Sequence, residues 1–229
     1  MPSPRSFAYL LAFLSAILLV LPFPMAGPTL PAHVYVVWIA LVPLILALLL
    51  RSRASGGRLI LRNLFLGYLC GIFWYGGTCT WVYQTMYLYG NMPRSIAGLL
   101  LILFCLYLGL YHAFFALLVT LTHRATGKIG WTLFFTPFLW VAMELACARV
   151  TGFPWNQLGI SQIDNVLLSR LATWTGVYGL SFLIVAINCM FASAILLRGW
   201  QRRTIAISAA VLCVIAVFYA VRWRPIDGD

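Results

Sequence analysis

Acid is almost absent from this chain. Its 229 residues include 4 Asp and Glu against 15 Lys and Arg, and charged residues of both signs reach only 8%. A soluble domain carries about 25%, so these side chains cannot cover a water-facing surface. Lysine occurs once, at Lys128. The six cysteines (Cys70, Cys79, Cys105, Cys147, Cys189 and Cys213) all fall inside apolar runs. None forms a CxxC pair, and none stands at metal-ligand spacing from a histidine. They read as small packing residues, because a reactive thiolate needs an electropositive, partly wet setting. There is no GxSxG, no HExxH and no glycine-rich phosphate loop. No catalytic residue, metal site or cofactor is therefore expected within the chain. No small-residue cleavage site follows the first apolar run; Pro22-Phe23-Pro24-Met25 come next, so that run is read as an uncleaved span. Internal repeats are lacking too, which argues against a transporter built from inverted halves.

What remains is oil. Hydrophobic residues make up 63% of the chain, in runs long enough to cross a ~30 Å hydrocarbon core. The expected fold is all-α: a polytopic bundle of about seven transmembrane helices. The spans are read at 7–21, 33–50, 62–84, 95–122, 131–147, 175–197 and 204–221, with 222–229 as a tail. Pro22 and Pro24 end the first span. Gly67 and Gly71 give the third a small-xxx-small face for close helix contact.

The net charge of +11 does not indicate nucleic-acid binding, since the basic residues lie scattered through short loops. They set topology instead. With the N-terminus inside, ten basic residues fall inside: Arg5, Arg51, Arg53, Arg58, Arg62, Arg124, Lys128, Arg198, Arg202 and Arg203. Five fall outside: Arg94, Arg149, Arg170, Arg222 and Arg224. The positive-inside rule selects that orientation and puts the C-terminus outside. The one long connection, 148–174, then faces outward between the fifth and sixth spans. Connections of this length are more often functional than filler.

Glu144 is the one acid inside a span, and an intramembrane carboxylate is costly. Either it ties helices together, through Arg149 or a Trp or Tyr donor, or it orients a headgroup or a neighbouring domain. Phe153, Pro154 and Trp155 form either a proline turn with an interfacial tryptophan or the anchor of a lipid-facing portal. Ser161, Gln162 and Asp164 follow, polar enough to suit a headgroup or peptide site. His112 is expected to be a satisfied intrahelical donor and His123 to be solvated. Asn188, mid-span, is expected to bond across to another helix.

Four segments carry a resemblance. They are WVYQTMYLYGNMP at 81–93, LYLGLYHAFFALL at 106–118, WVAMELACARVTGFPWNQLGISQID at 140–164, and GVYGLSF at 176–182 leading to Asn188. Together they resemble the membrane portion of the bacterial apolipoprotein N-acyltransferases. The resemblance implies a multi-pass protein of the bacterial inner membrane that acts in lipoprotein maturation. Members of that family move an acyl chain from a phospholipid to the amino group of a lipidated N-terminal cysteine. The acyl group rides on a cysteine thioester in a nitrilase-like domain bearing a Glu-Lys-Cys triad. That domain follows the seventh span on the outer side, where 222–229 lies in this chain.

With Lys128 inside, no such triad can be assembled outside, so the chain alone is expected to be inactive. Chemistry is expected to require a nitrilase-like domain, and a separately encoded one is a candidate partner. The family usually has Trp-Leu-Arg directly after the glutamate; here Leu145-Ala146-Cys147 follow, and arginine comes at Arg149. On the resemblance, the portal and substrate candidates are Trp81, Glu144, Arg149, Thr151, Gly152, Phe153, Pro154, Trp155, Ser161, Gln162, Asp164 and Tyr178. The partners implied are membrane phospholipid and the lipidated lipoprotein N-terminus. The alternative reading is a non-enzymatic membrane scaffold or binding protein of the same fold.

Overall fold

The computed structural model describes residues 4–23, 31–50 and 56–222. The tail from 223 onward lies outside these residues, as do Arg51 and Arg53. The described residues form an all-α bundle without strands. Backbone groups in lipid must be satisfied within their own segment, and the helix is the form in which one segment does so.

The first run forms α1 (Pro4–Val20). The second is broken, with α2 (Val37–Ala40) and α3 (Val42–Leu49) meeting at Leu41. The third forms α4 (Gly56–Thr78), interrupted at Cys79 and continued by the short α5 (Thr80–Gln84). The fourth is α6 (Arg94–Thr126) and the fifth α7 (Ile129–Ala146). A short α8 (Val166–Ser169) precedes α9 (Ala172–Leu196) and α10 (Trp200–Arg222).

Five of these helices are long and apolar enough to cross a membrane: Gly56–Thr78, Arg94–Thr126, Ile129–Thr151, Ala172–Leu196 and Arg202–Arg222. The helices Ser6–Val20 and Val34–Leu49 are apolar but shorter. Each helix lies close to a run read from hydropathy. Boundaries shift where a backbone feature intervenes. Lys128 is extended, and Gly127 ends α6 in the left-handed region with φ 62°, a conformation glycine adopts without a Cβ penalty. His123 and Arg124 occupy the last turn of α6, where cations favour the helix dipole.

The elements alternate in direction, so the bundle has two distinct ends. One carries 148–174 and is called the loop end here. The other carries Arg58, Arg62, Arg124, Lys128, Arg198, Arg202 and Arg203, and is the basic end. The closest pairing is α4 against α6. A Cβ at Gly67 would collide with the His112 carbonyl, and one at Gly71 would come within 2.8 Å of the His112 Cβ. Only glycine at both positions lets the two backbones approach this closely.

The break at Leu41 is repaired from across the bundle. In a continuous helix the Leu41 N–H would donate to the Val37 carbonyl four residues back. Instead it donates to Asn188 Oδ1 at 2.9 Å, while Asn188 Nδ2 donates to the Val37 carbonyl at 2.9 Å. The side-chain amide of α9 thus stands in for one missing rung. Pro43 lies two residues on, in the first turn of α3, where it supplies no N–H to the preceding turn. Insertion of a side chain into the ladder is a known cause of helix kinks. Asn63 makes a similar tie at the basic end. Its Nδ2 donates to the Leu48 carbonyl at 3.1 Å and to Thr120 Oγ1 at 3.0 Å, joining α3, α4 and α6.

Candidate functional site

The loop end is where regular helix gives out. Two π-helical turns lie there, Thr85–Tyr89 and Cys147–Thr151. Such turns are rare and occur frequently at functional sites. Between them the chain folds 152–165 back into the bundle rather than over its surface. Asn156, Gln157, Leu158, Gly159, Ser161 and Gln162 are all buried.

A buried loop has to satisfy its backbone, and here the partners come from four directions. Asn156 adopts a positive φ of 61°, a region more open to asparagine than to most residues. Its amide donates to Thr78 Oγ1 at 2.8 Å, at the end of α4. The Leu158 N–H donates to Glu144 Oε1 at 2.8 Å, and the Gly159 N–H to Ser181 Oγ at 2.9 Å on α9. Gln162 Nε2 donates to the Val34 carbonyl at 3.1 Å, in the 3-10 turn before α2. Asn165 Oδ1 closes the segment by accepting the Leu168 N–H at 3.3 Å, capping α8.

Glu144 is the hinge pin of this arrangement. Trp140 lies four residues earlier on α7, on the same face. Its Nε1–H donates to Glu144 Oε1 at 2.8 Å, the same oxygen that receives Leu158. The carboxylate therefore faces protein and joins its own helix to the loop. The aromatic partner weighed for Glu144 is the one it has; Arg149 is exposed and forms no ion pair among the described residues. Glu144 Oε2 is buried without a hydrogen-bond partner among the described residues, as are Trp74 Nε1 and both nitrogens of His112. Trp74, His112 and Glu144 line one small cavity of about 20 Å³ with Trp140, Phe153 and Gln157. That is space on the scale of a single water molecule.

Outside the pinned loop lies an aromatic shelf. Phe153 and Trp155 stack at 5.1 Å, Trp81 lies over both at 6.4 and 6.0 Å, and Phe104 meets Phe153 edge-on at 4.9 Å. Trp155 is 51% exposed and Trp81 39%. Rings with a polar tip and an apolar body suit a membrane interface. A row of hydroxyls runs alongside. Thr151 Oγ1 lies 2.7 Å from the Tyr111 hydroxyl and donates to the Tyr107 hydroxyl at 3.2 Å.

The sequence candidates thus divide into three groups. Trp81, Thr151, Phe153 and Trp155 come together on the shelf, with Gly152 and Pro154 exposed between them. Glu144, Ser161 and Gln162 face inward and hold the loop; Ser161 Oγ donates to the Leu158 carbonyl at 2.6 Å. Arg149 and Asp164 are exposed, and Tyr178 is half-buried on α9, away from the cavity lining.

Two expectations for histidine need correction. His112 is no intrahelical donor: its ring sits among Trp74, Tyr75 and Trp140, each edge-on at 4.7–5.5 Å. His123 is not simply solvated, because its Nδ1 lies 3.2 Å from Thr132 Oγ1. Residues overlooked in the sequence are Trp140, Asn156, Tyr107 and Tyr111. Trp140 had a signal, since a donor four residues before a mid-span acid shares its helix face. All six cysteines are free, five of them buried and Cys213 partly so.

The profile of the apolipoprotein N-acyltransferase N-terminal domain matches residues 15–190 of this chain. The chain belongs to the apolipoprotein N-acyltransferase family. It is 36% identical to the apolipoprotein N-acyltransferase of Geobacter metallireducens over 221 residues, covering 94% of this chain and 39% of that protein. It is 35% identical to the Methylococcus capsulatus protein of the same name, covering 97% of this chain and 42% of the relative. A Coxiella burnetii relative is 35% identical over 127 residues, 55% of this chain and 26% of its own. The chain therefore spans about two fifths of the two relatives it matches most fully. The matched region contains the whole of the pinned loop, Glu144 and the aromatic shelf. Family membership and the apolar helices together make this a multi-pass bacterial membrane protein that belongs to lipoprotein biosynthesis.

Proposed function

We propose that this chain is the membrane module of an apolipoprotein N-acyltransferase. It binds a phospholipid acyl donor and the lipidated N-terminus of a lipoprotein at the loop end. Acyl transfer itself takes place on a nitrilase-like domain, which docks at that end. The observation that carries this reading is the pinned loop. A segment fixed by Glu144, Thr78, Ser181 and Val34 presents Phe153 and Trp155 against Trp81 of α5, and the three rings form a ledge. Preorganised aromatic area binds at a low entropic cost. The hydroxyls of Tyr107, Tyr111 and Thr151 offer hydrogen bonds to ester or phosphate oxygens beside it.

In this reading the loop end faces the outer side of the inner membrane. The first two apolar segments cross it together with the five longer helices, giving seven spans with the N-terminus inside. Reporter fusions after residue 222 and after residue 126 test the orientation. Activity after residue 222 only in a cytoplasmic reporter reverses the topology and removes the reading. The binding role is tested by complementation of an N-acyltransferase-deficient strain, with a nitrilase-like domain supplied in trans. Growth is expected with the intact chain and not with Trp81→Ala/Trp155→Ala. Rescue by that double variant equal to the parent reduces the ledge to a packing feature.

A further inference from the structure

A second hollow lies far from Glu144, at the basic end between α7, α9 and α10. It is a groove of about 620 Å³, within the ~300–1,000 Å³ range of ligand sites. Its lining runs along α7 from Lys128 to Phe138. At 1.5 Å per residue that is about 15 Å of depth, half of a ~30 Å hydrocarbon core. The groove is therefore one leaflet deep. Phe138 and Phe182 close its floor, their rings edge-on at 4.8 Å. Lys128, Trp131, Trp200 and Thr204 line its mouth, and the walls between are apolar apart from Ser208.

We propose that this groove holds one acyl chain of an anionic glycerophospholipid, with the lipid phosphate at Lys128. Depth argues for a chain rather than a helix. A spanning helix would need a groove through both leaflets, and the Phe138–Phe182 contact stops this one at half depth. Charge argues for an anionic headgroup. Arg198, Arg202 and Arg203 stand at the same end, with Arg124 in the last turn of α6. The acidic side chains among the described residues, Glu144 and Asp164, lie at the opposite end. Trp131 and Trp200 are 52% and 80% exposed, as rings at the headgroup level are. Lys128 reaches the phosphate by extending its stem along the apolar wall. This inference rests on the helices spanning a membrane. It does not depend on acyl transfer, and the site is separate from the loop end.

The test is native mass spectrometry of the full 229-residue chain in detergent with equimolar phosphatidylglycerol and phosphatidylcholine. One phosphatidylglycerol per chain is expected, retained at least fivefold over phosphatidylcholine. Lys128→Met should abolish that preference, whereas Arg94→Met, the same charge change at the other end, should leave it intact. Ala209→Phe fills the groove and should remove retained lipid of either headgroup. Ala186→Leu serves the same purpose if the larger variant fails to fold. Equal retention of the two lipids by the unaltered chain overturns the proposal. So does a preference that survives Lys128→Met, or lipid that survives both groove-filling variants. A second copy of the chain or another polypeptide in place of lipid, released by Ala209→Phe, also overturns it.

Discussion

The two ends of the bundle are built on opposite terms. At the loop end, polar side chains from α4, α7 and α9 reach into a buried segment and leave a cavity of only about 20 Å³. At the basic end, α7, α9 and α10 part around an apolar groove some thirty times larger. Bonding of the first kind fixes a geometry. A hollow of the second kind tolerates a mobile chain. Asn63 ties helices at the basic end as well, but the bonds that converge on one buried segment lie at the loop end, and they mark where position matters.

The sharpest way to break this contrast is Glu144→Ala. It orphans the Trp140 N–H and the Leu158 N–H together. With buried unsatisfied groups costing about 1–3 kcal/mol each, a loss of roughly 2–6 kcal/mol is expected. Thermal unfolding in detergent measures it, and a cysteine placed at residue 160 should become reactive to maleimide as the loop comes free. An unreactive cysteine would mean that Asn156 and Gly159 hold the loop without Glu144.

Asn188→Leu comes next. It reopens the break at Leu41 without touching the loop, and interhelical hydrogen bonds in membranes are worth ~0.6 kcal/mol on average, up to about 1.7. A loss of about 1–2 kcal/mol is expected, with the loop cysteine still protected. Glu144→Gln should cost less than about 1 kcal/mol in stability, because the amide oxygen can still accept from both donors. If complementation nevertheless fails, the carboxylate is needed for its charge. Trp155→Ala should leave stability within about 0.5 kcal/mol, as its ring is half in solvent or lipid. Its effect should fall on complementation instead. Smallest of all is Arg149→Ala, exposed and unpaired, expected to be neutral in both assays.

The bundle itself was largely legible in the sequence, because long apolar runs permit little besides helix in lipid. The interruptions were less so. Pro43 marks a weak point in the second run, but the substituted rung comes from Asn188 on a distant helix. The 62–84 run is one span by hydropathy; the structure interrupts it at Cys79 and ends it in a π turn. At the loop end the type of residue was informative and its direction was not. Ser161 and Gln162 are polar beside a membrane, which suggests a ligand, yet both turn inward to satisfy buried backbone. Composition reports what a side chain can bond to; only the fold decides which partner is nearer. Glu144 was read as either a helix tie or a group orienting a headgroup or domain, and Trp140, at helical spacing, supplies the donor for a tie.

The Asn188 amide that completes the second segment also imposes an order on synthesis. Leu41 and the residue that satisfies it are 147 positions apart. At ~5–20 residues per second, the ribosome needs roughly 7–30 s to bridge that interval. During that time the Leu41 N–H lacks the partner that α9 supplies. α9 is therefore not just a later helix. Its arrival turns a provisional segment into a finished one, so a stall before residue 188 should leave the stretch from 37 to 49 more open to quality-control proteases than in the finished chain.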